Sequence, residues 1–112
     1  MLNQFDVVQV EVTFSEDTSR GKVRPAVVLQ QDGELVQLIW ATTKEVDRSA
    51  PQPWEFCVTS GQEMTAMGHT KAARYSFRRG GVIVVRASEV REVIGHCPSG
   101  VVDRLVRAAR QA

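Results

Sequence analysis

The chain has few of the features that mark a membrane, disulfide-rich or secreted protein. Its 112 residues contain no run near the ~20 consecutive apolar residues of a membrane span, and the N-terminus lacks the basic and apolar regions of a signal peptide. Only two cysteines are present, Cys57 and Cys97, and their isolation favours buried reduced thiols over a disulfide framework. These absences predict a cytoplasmic protein with no membrane contact.

Ligands for a metal ion or a nucleotide are also scarce. His69, His96 and the two cysteines are the only imidazole and thiol groups, and their spacing fits no usual zinc arrangement. The Gly80-Gly81 pair lacks the lysine and the following helix that a nucleotide-binding loop needs. We therefore expect no metal and no cofactor.

The charges are unevenly distributed along the chain, although the net charge is only +1. Residues 1–68 hold ten acids against five bases, whereas residues 69–112 hold nine bases against three acids. A basic face can attract a polyanion, and in an oligomer it can instead meet the acidic half of a neighbour. The sequence leaves both possibilities open.

Several short segments have the alternating or apolar pattern of β-strands. Val8 to Phe14 alternates strictly over seven positions, which predicts a half-buried strand. Asp32-Gly33 separates an apolar run from a partner strand over residues 35–42 and is typical of a hairpin. Further strands are predicted over residues 54–59, 74–77, 82–85 and 93–96, with polar loops over residues 15–21, 44–53 and 60–68.

The end of the chain predicts a helix. Ser99 is expected to cap it, and its apolar face is expected to contain Val102, Leu105, Val106 and Ala109. An earlier single helical turn is expected to begin at Ser88. The fold predicted for one domain over residues 1–112 is therefore mainly β with a C-terminal helix, a small antiparallel barrel with the helix on its surface.

The step from Arg24 to Pro25 presents an arginine at the start of an apolar strand. Proline fixes its own φ and biases the preceding residue towards extended geometry, so the planar guanidinium is held in a form that suits a phosphate. A strand boundary with a solvated arginine gives the same pattern. The residues alone therefore leave two interpretations open, an anion site and a strand start with a solvated arginine.

The order of these junctions resembles the MazF/PemK family, the ribonuclease toxins of bacterial toxin-antitoxin pairs. The resemblance spans nearly the whole chain, and its segments are residues 5–8, the Arg-Pro loop and strand of residues 21–29, the strand end at residues 41–44, residues 68–71 and residues 93–95. It implies a small SH3-like barrel of the CcdB/MazF type. It also implies a homodimer that cleaves single-stranded RNA without a metal, an endoribonuclease of the mRNA interferase type, and a cognate antitoxin protein as its partner.

Such a cleavage begins with attack of a ribose 2′-hydroxyl on the adjacent phosphorus, so the site must accept a proton and stabilise charge on the phosphoryl oxygens. Arg24 suits the second task, and the resemblance implies that it also takes part in proton transfer. Thr43 matches the family's threonine after the third strand and is expected to donate its hydroxyl to the same phosphate. Thr42 is the alternative if the register shifts by one residue.

The general base is not assigned by the resemblance. The acid that often lies five residues before the family's arginine is Ser19 here, although Glu16 and Asp17 lie close by. His69 stands at the family's leucine position and, as a histidine, titrates near neutral pH. The secondary catalytic candidates are therefore Asp17, Ser19 and His69.

Basic and aromatic residues interleave over residues 71–79, a composition that suits single-stranded RNA. If Tyr75 and Phe77 share one face of a strand, Arg74 and Arg78 occupy the other, and the aromatics are then core while the arginines meet RNA. The candidate RNA-binding residues are Lys22, Lys44, Lys71, Arg74, Arg78 and Arg79.

Two other classes of function fit the same barrel. One is a CcdB-like non-enzymatic inhibitor of a protein target such as DNA gyrase, which acts mainly through its terminal helix. The other is an inactive barrel that only binds RNA or an antitoxin. Loss of toxicity on changing Arg24 would favour the ribonuclease over the inhibitor.

Overall fold

The structure, a computed structural model, describes residues 2–14, 17–43 and 50–112, without the side chains of residues 12–14 and 17–22. The strands are β1 (Asp6–Phe14), β2 (Asp17–Asp32), β3 (Leu35–Thr42), β4 (Glu55–Val58), β5 (Ala73–Ser76), β6 (Val82–Arg86) and β7 (Val90–His96). The helices are α1 (Gly61–Ala66) and α2 (Ser99–Arg110), and a 3-10 turn spans Ala87–Glu89.

The strands form one antiparallel sheet in the order β4-β5-β3-β2-β1-β7, with β6 also paired to β3. The sheet curls into an open barrel, and α2 lies against it. This arrangement confirms the predicted mainly β fold with a C-terminal helix.

One edge of β3 is shared by two strands. Residues 35–39 pair with β6, whereas Ala41 and Thr42 pair with β5. Trp40 lies at the division, where its backbone N–H donates to the carbonyl of Gly81 at 3.0 Å and its indole N–H to that of Gly80 at 2.7 Å. A Cβ on Gly81 would overlap the carbonyl oxygen of Ser76, so this tight turn between β5 and β6 requires glycine.

The sheet is buried on both faces over its central strands. Val7, Val27 and Ile39 belong to a core cluster under α2, and a second cluster on the opposite face includes Val8 and Leu38. From Val8 onward β1 alternates as predicted, with Val8 and Val10 buried, Gln9 half-buried and Glu11 exposed. Val7, just before this segment, is buried in the other cluster, so both faces are covered at the start of the strand. The cause is the curl of the sheet, which places β6 and β7 over the second face.

Two features of the predicted loops are corrected by the structure. The loop predicted over residues 60–68 contains α1, whose N-cap Ser60 accepts a hydrogen bond from the N–H of Glu63 at 3.1 Å. Serine followed three residues later by glutamate is a helix-start signal that the reading as a loop overlooked. Residues 17–21, also expected in a loop, belong to β2, because β1 continues to Phe14 and pairs with Asp17.

The terminal helix is present but rotated from its expected face. Pro98 rather than Ser99 occupies the N-cap, without a side-chain cap bond. The helix contacts β4 and contributes to the first cluster with a different stripe from the predicted one. Its buried residues are Val101, Leu105 and Ala108, whereas Val102 and Val106 are half-buried and Ala109 is exposed.

Three further predictions can be compared with the structure. β6 was expected to be a buried strand, but Val84 is 60% exposed because the outer face of β6 is uncovered. The 3-10 turn has Arg86 rather than Ser88 at its N-cap, and the N–H of Arg86 donates to Glu89. In the predicted connection over residues 44–53, residues 50–53 are exposed and residues 44–49 lie outside the described part of the chain.

The turn after α1 ends in a Schellman motif that fixes the next residue. The N–H of Gly68 donates to Thr65 at 3.1 Å, and the N–H of His69 donates to Met64 at 2.8 Å. Gly68 has a φ of 69°, in the left-handed region, and a Cβ there would overlap the carbonyl oxygen of Ile94 on β7. Glycine is therefore required both by the backbone and by the contact with β7.

Gly68→Ala is expected to lower the free energy of unfolding by about 2 to 5 kcal/mol, because a left-handed alanine costs about 1 to 2 kcal/mol and backbone overlap about 1 to 3 more. Gly33→Ala is the matched control, since Gly33 has a φ of 59° with no atom within 4 Å of a Cβ. This control is expected to lose only the backbone part. Urea unfolding measures both variants, and equal losses would contradict the role of the β7 contact.

Candidate active site

A cleft of about 160 Å³ opens where β2, β3 and the loop after α1 converge. It brings together Arg24, Thr43, His69 and Lys71, four residues that the sequence singles out from three separate segments. A water takes about 30 Å³ of liquid volume, so the cleft has room for a small polar group such as a phosphate. The remaining lining residues are Val23, Pro25, Ala41, Thr70 and Ala73.

Arg24 is half-buried on β2 and is held by groups on the neighbouring strand. Its backbone is opposite Val10 of β1, and its Nη1 donates to the carbonyl of Ala41 at 3.5 Å. The guanidinium carbon lies 5.5 Å from the centroid of the Trp40 ring, within the range of a cation–π contact. These contacts on β3 fix the position of the guanidinium at the cleft.

Thr43 and Thr42 differ in their relation to the cleft. Thr43 is exposed and lines it, immediately after β3 ends. Thr42 is the last residue of β3 and is paired with Arg74 of β5. The geometry therefore favours Thr43 over Thr42 as the residue that meets a bound group.

His69 lies in the wall of the cleft and is only 8% exposed. Its Nε2 is 2.7 Å from the hydroxyl of Tyr75, and its Nδ1 is buried with no hydrogen-bond partner among the described residues. Burial lowers the pKa of His69 from its usual 6.5, and burial together with the nearby Cys97 raises the pKa of Tyr75 well above 10. Both groups are therefore neutral at pH 7.

The tyrosine that holds His69 is itself fixed in the core. Tyr75 is fully buried, and its ring stacks on Phe56 with 4.8 Å between centroids and 4° between planes. The sequence singled out Tyr75 as core or as an RNA contact, but not as a partner of His69. No local pattern could have revealed this pair, because it depends on where α1 ends relative to β5.

An ion pair stabilises the position of α1, the helix that precedes His69. Arg104 of α2 donates to both carboxylate oxygens of Glu63, at 2.7 Å and 3.0 Å, and also to the carbonyl of Cys57 at 3.1 Å. The hydrogen bonds to Arg104 lower the pKa of Glu63. This bidentate pair joins α1, α2 and β4, and it holds α1 beside the cleft.

The other predicted RNA-binding arginines lie outside the cleft. Arg74 was expected to meet RNA, but it is only 9% exposed and its guanidinium is 3.6 Å from Glu55 of β4. Arg74 therefore has the surroundings of a buried inter-strand ion pair, because both faces of β5 are covered. Arg78 and Arg79 are exposed in the turn after β5, and the guanidinium carbon of Arg78 is 3.9 Å from the Trp54 centroid.

Several predicted residues fall where the side chains are not described. Asp17, Ser19 and Lys22 are on the β2 backbone, and Lys44 lies outside the described part of the chain. Their proposed roles stay predictions. Within residues 2–14, 17–43 and 50–112, no group of three or more His, Cys, Asp and Glu side chains is arranged to hold a metal ion. No helix in those ranges is long and apolar enough to span a membrane.

The fold of this small barrel can be compared with the folds of known proteins. No family model and no curated protein sequence matches the chain. The Mycobacterium tuberculosis toxin MazF-mt6 is similar in structure, with a TM-score of 0.68 and 13% sequence identity over 95% of this chain and 93% of the toxin. An endoribonuclease in complex with its cognate antitoxin, from a mycobacterial species, has a TM-score of 0.70 and 9% identity over 100% of this chain and 94% of its own. The chain thus has the fold of the toxin MazF-mt6.

The buried neutral His69 makes stability depend on pH. Because its pKa is lowered from 6.5 in the folded state, the unfolded chain binds the proton more readily, and stability falls as pH drops below about 6.5. His69→Gln is expected to show a smaller drop in the free energy of unfolding between about pH 7.5 and about pH 5 than the wild type. His96→Gln removes the other histidine, whose side chain is 61% exposed beside Asp6, and is not expected to reduce the drop. An unchanged drop in His69→Gln would contradict the burial effect.

Proposed function

We propose that this protein is the toxin of a type II toxin-antitoxin pair, a metal-independent endoribonuclease that cleaves single-stranded RNA at specific sequences. The observation that carries the proposal is the cleft in which Arg24 of β2 and Thr43, just after β3, lie together with Lys71 and His69. A fold of this kind hosts more than one function, so the chemistry of the cleft has to support the activity.

The first requirement is a site for the scissile phosphate. Arg24 supplies a guanidinium whose planar fork matches two phosphoryl oxygens, and the carbonyl of Ala41 and the Trp40 ring hold it in place before RNA arrives. Lys71 adds a second positive charge, and the Thr43 hydroxyl adds a donor. Donors that are fixed before reaction stabilise developing charge without reorganisation, and each is worth about 3 to 4 kcal/mol.

The second requirement is a nucleophile, which RNA itself provides. The 2′-oxygen forms a bond to phosphorus and the bond from phosphorus to the 5′-oxygen breaks, so the products are a 2′,3′-cyclic phosphate and a 5′-hydroxyl. The role of Arg24 and Lys71 in this step is to stabilise the negative charge that grows on the phosphoryl oxygens. Because the nucleophile belongs to the substrate and the cations to the protein, the proposed reaction needs no metal ion.

Positive charge also continues beyond the cleft along the turn between β5 and β6. Trp40 links the two regions, since its ring lies near Arg24 while its indole N–H donates to Gly80 in that turn. Arg78 and Arg79 are exposed there and are proposed to bind phosphates flanking the cut site. Contacts to a splayed single strand would place the sequence readout on this path.

A ribonuclease of this kind in the cytoplasm needs a protein that holds it inactive. One of the compared structures is an endoribonuclease bound to its cognate antitoxin. For this chain we propose an antitoxin with an acidic, partly disordered segment that covers the basic groove and folds on binding. A homodimer of the single domain over residues 1–112 belongs to the same proposal.

Purified wild-type protein is expected to cut a long single-stranded RNA in excess EDTA at defined sites, which primer extension maps. Arg24→Ala is expected to lower the cleavage rate by about 10²- to 10³-fold, because it removes a fixed donor to the phosphoryl oxygens. Thr43→Ala is expected to lose less, since a hydroxyl is a neutral donor.

Arg91→Ala is the matched control for the loss of an arginine. Arg91 lies on β7, pairs with Glu11 at 3.2 Å with its side chain 56% exposed, and is expected to leave the rate unchanged. Intact RNA in every sample, together with cell toxicity that survives Arg24→Ala, would contradict the ribonuclease. That result would favour an inhibitor of a protein target on the same barrel, whereas tight RNA binding without cleavage would favour an inactive RNA-binding barrel.

A further inference from the structure

The His69 ring joins the cleft to the buried core, and its two nitrogens have different surroundings. Nε2 is 2.7 Å from the hydroxyl of Tyr75, a side chain that is fully buried and stacked on Phe56. Nδ1 is buried and has no hydrogen-bond partner in the described part of the chain. A buried polar atom without a partner costs free energy, so its presence at the wall of a cleft needs a reason.

The position of the ring is determined from three sides. The Schellman turn at Gly68 fixes the backbone of His69, the Tyr75 hydroxyl fixes Nε2, and the ion pair from Arg104 to Glu63 fixes α1. Among the described residues, Nε2 of the ring has a hydrogen-bond partner and Nδ1 has none. Hydrogen bonds used in catalysis often form only when substrate is bound, so a covered Nδ1 in the free protein is compatible with a reactive one.

We propose that His69 is the general base of the cleft, acting through Nδ1, and that Tyr75 is a positioning residue that holds Nε2. This inference rests on the proposed RNA cleavage and supplies the base that the resemblance leaves unassigned. In the reactive tautomer the Nε2–H donates to the Tyr75 hydroxyl oxygen, and the lone pair is on Nδ1.

The proton and bond changes balance with water as the only co-reactant. Nδ1 takes the proton of the 2′-hydroxyl, the 2′-oxygen forms its bond to phosphorus, and the bond to the 5′-oxygen breaks. Water protonates the departing 5′-oxygen. The imidazolium, stabilised through Nε2–H by Tyr75, then returns its proton to the hydroxide that remains.

The surroundings of the ring favour the neutral form that a base requires. Arg24 on β2 and Lys71 on the same loop line the cleft with it, and no carboxylate lines the cleft within the described residues. Tyr75 on β5 contacts it, and beyond Tyr75 is Cys97, a buried thiol whose pKa burial raises to about 12. These groups are cationic or neutral at pH 7, so none of them stabilises a charged His69, and burial lowers its pKa.

The test is the pH dependence of kcat/KM for cleavage of a short single-stranded RNA. The wild type is expected to lose activity on the acid side as His69 takes up a proton, with the limb below the ordinary histidine pKa of 6.5 because burial lowers the pKa of His69. His69→Gln is expected to lose about 10²- to 10⁴-fold at neutral pH and to lack this acid limb. His96→Gln is the matched control and is expected to keep both the rate and the limb.

Tyr75→Phe separates positioning from folding, because it keeps the stacked ring and removes only the hydroxyl. Without the acceptor at Nε2 the imidazolium is less stable, so the acid limb is expected to move to lower pH, with a smaller loss of rate than in His69→Gln. A structural role alone would lower the rate without moving the limb. An acid limb in Tyr75→Phe at the wild-type pH would overturn the role of Tyr75.

The ring tautomer can be measured without RNA. Nitrogen-15 NMR of the histidine rings at neutral pH is expected to show His69 protonated on Nε2 and unprotonated on Nδ1. Protonation on Nδ1 would overturn the inference even if His69→Gln fails to fold. Wild-type cleavage that depends on Arg24 but persists in His69→Gln would overturn this inference alone, whereas absence of cleavage by the wild type would overturn the proposed function and the base assignment with it.

Discussion

The arrangement of the whole molecule depends on the division of one edge of β3. β6 occupies the first part of that edge and β5 the last part, and the change occurs at Trp40, where the turn at Gly80 and Gly81 accepts both N–H groups of the tryptophan. We attribute the bend of the sheet at this point to the change of partner strand. This bend gives the sheet its open barrel form, and it carries the end of β3 to the point where Arg24 emerges from β2.

Strand pairing therefore places Arg24 and Thr43 at the cleft, whereas a different part of the structure positions His69. It arrives from α1 through a left-handed glycine that lies against β7, and the ion pair between Glu63 and Arg104 holds that helix to α2 and β4. Tyr75 connects these two parts of the structure, because it pairs with Ala41 of β3 and contacts His69. A change in the strand pairing or in the turn after α1 would alter the position of the imidazole relative to Arg24.

The sequence predicted the parts of this structure that local patterns encode. Alternation and the Asp32-Gly33 turn located β1 to β3, and the Arg-Pro step located Arg24. The stripe of α2 was misplaced because the buried face of a helix depends on the element it packs against, here β4 and the first core cluster, and not on periodicity alone. The contact between His69 and Tyr75 and the burial of Arg74 depend on strand pairing across the molecule, which one sequence without its fold does not specify.

Ion pairs within the chain account for part of the uneven distribution of charge. Within the described part of the chain, acids of the first part pair with bases of the second in three places, through Glu11 with Arg91, Glu55 with Arg74 and Glu63 with Arg104. The sequence had offered a polyanion or a neighbouring subunit as the partner of the basic half, and these pairs add the chain itself. Among the described residues these pairs engage three of the nine bases of residues 69–112, and the positive charge proposed for RNA is that of Lys71 in the cleft and of Arg78 and Arg79 in the β5–β6 turn. Basic groups at these two places favour the proposed path for RNA, past Trp40 to the phosphate site proposed at Arg24.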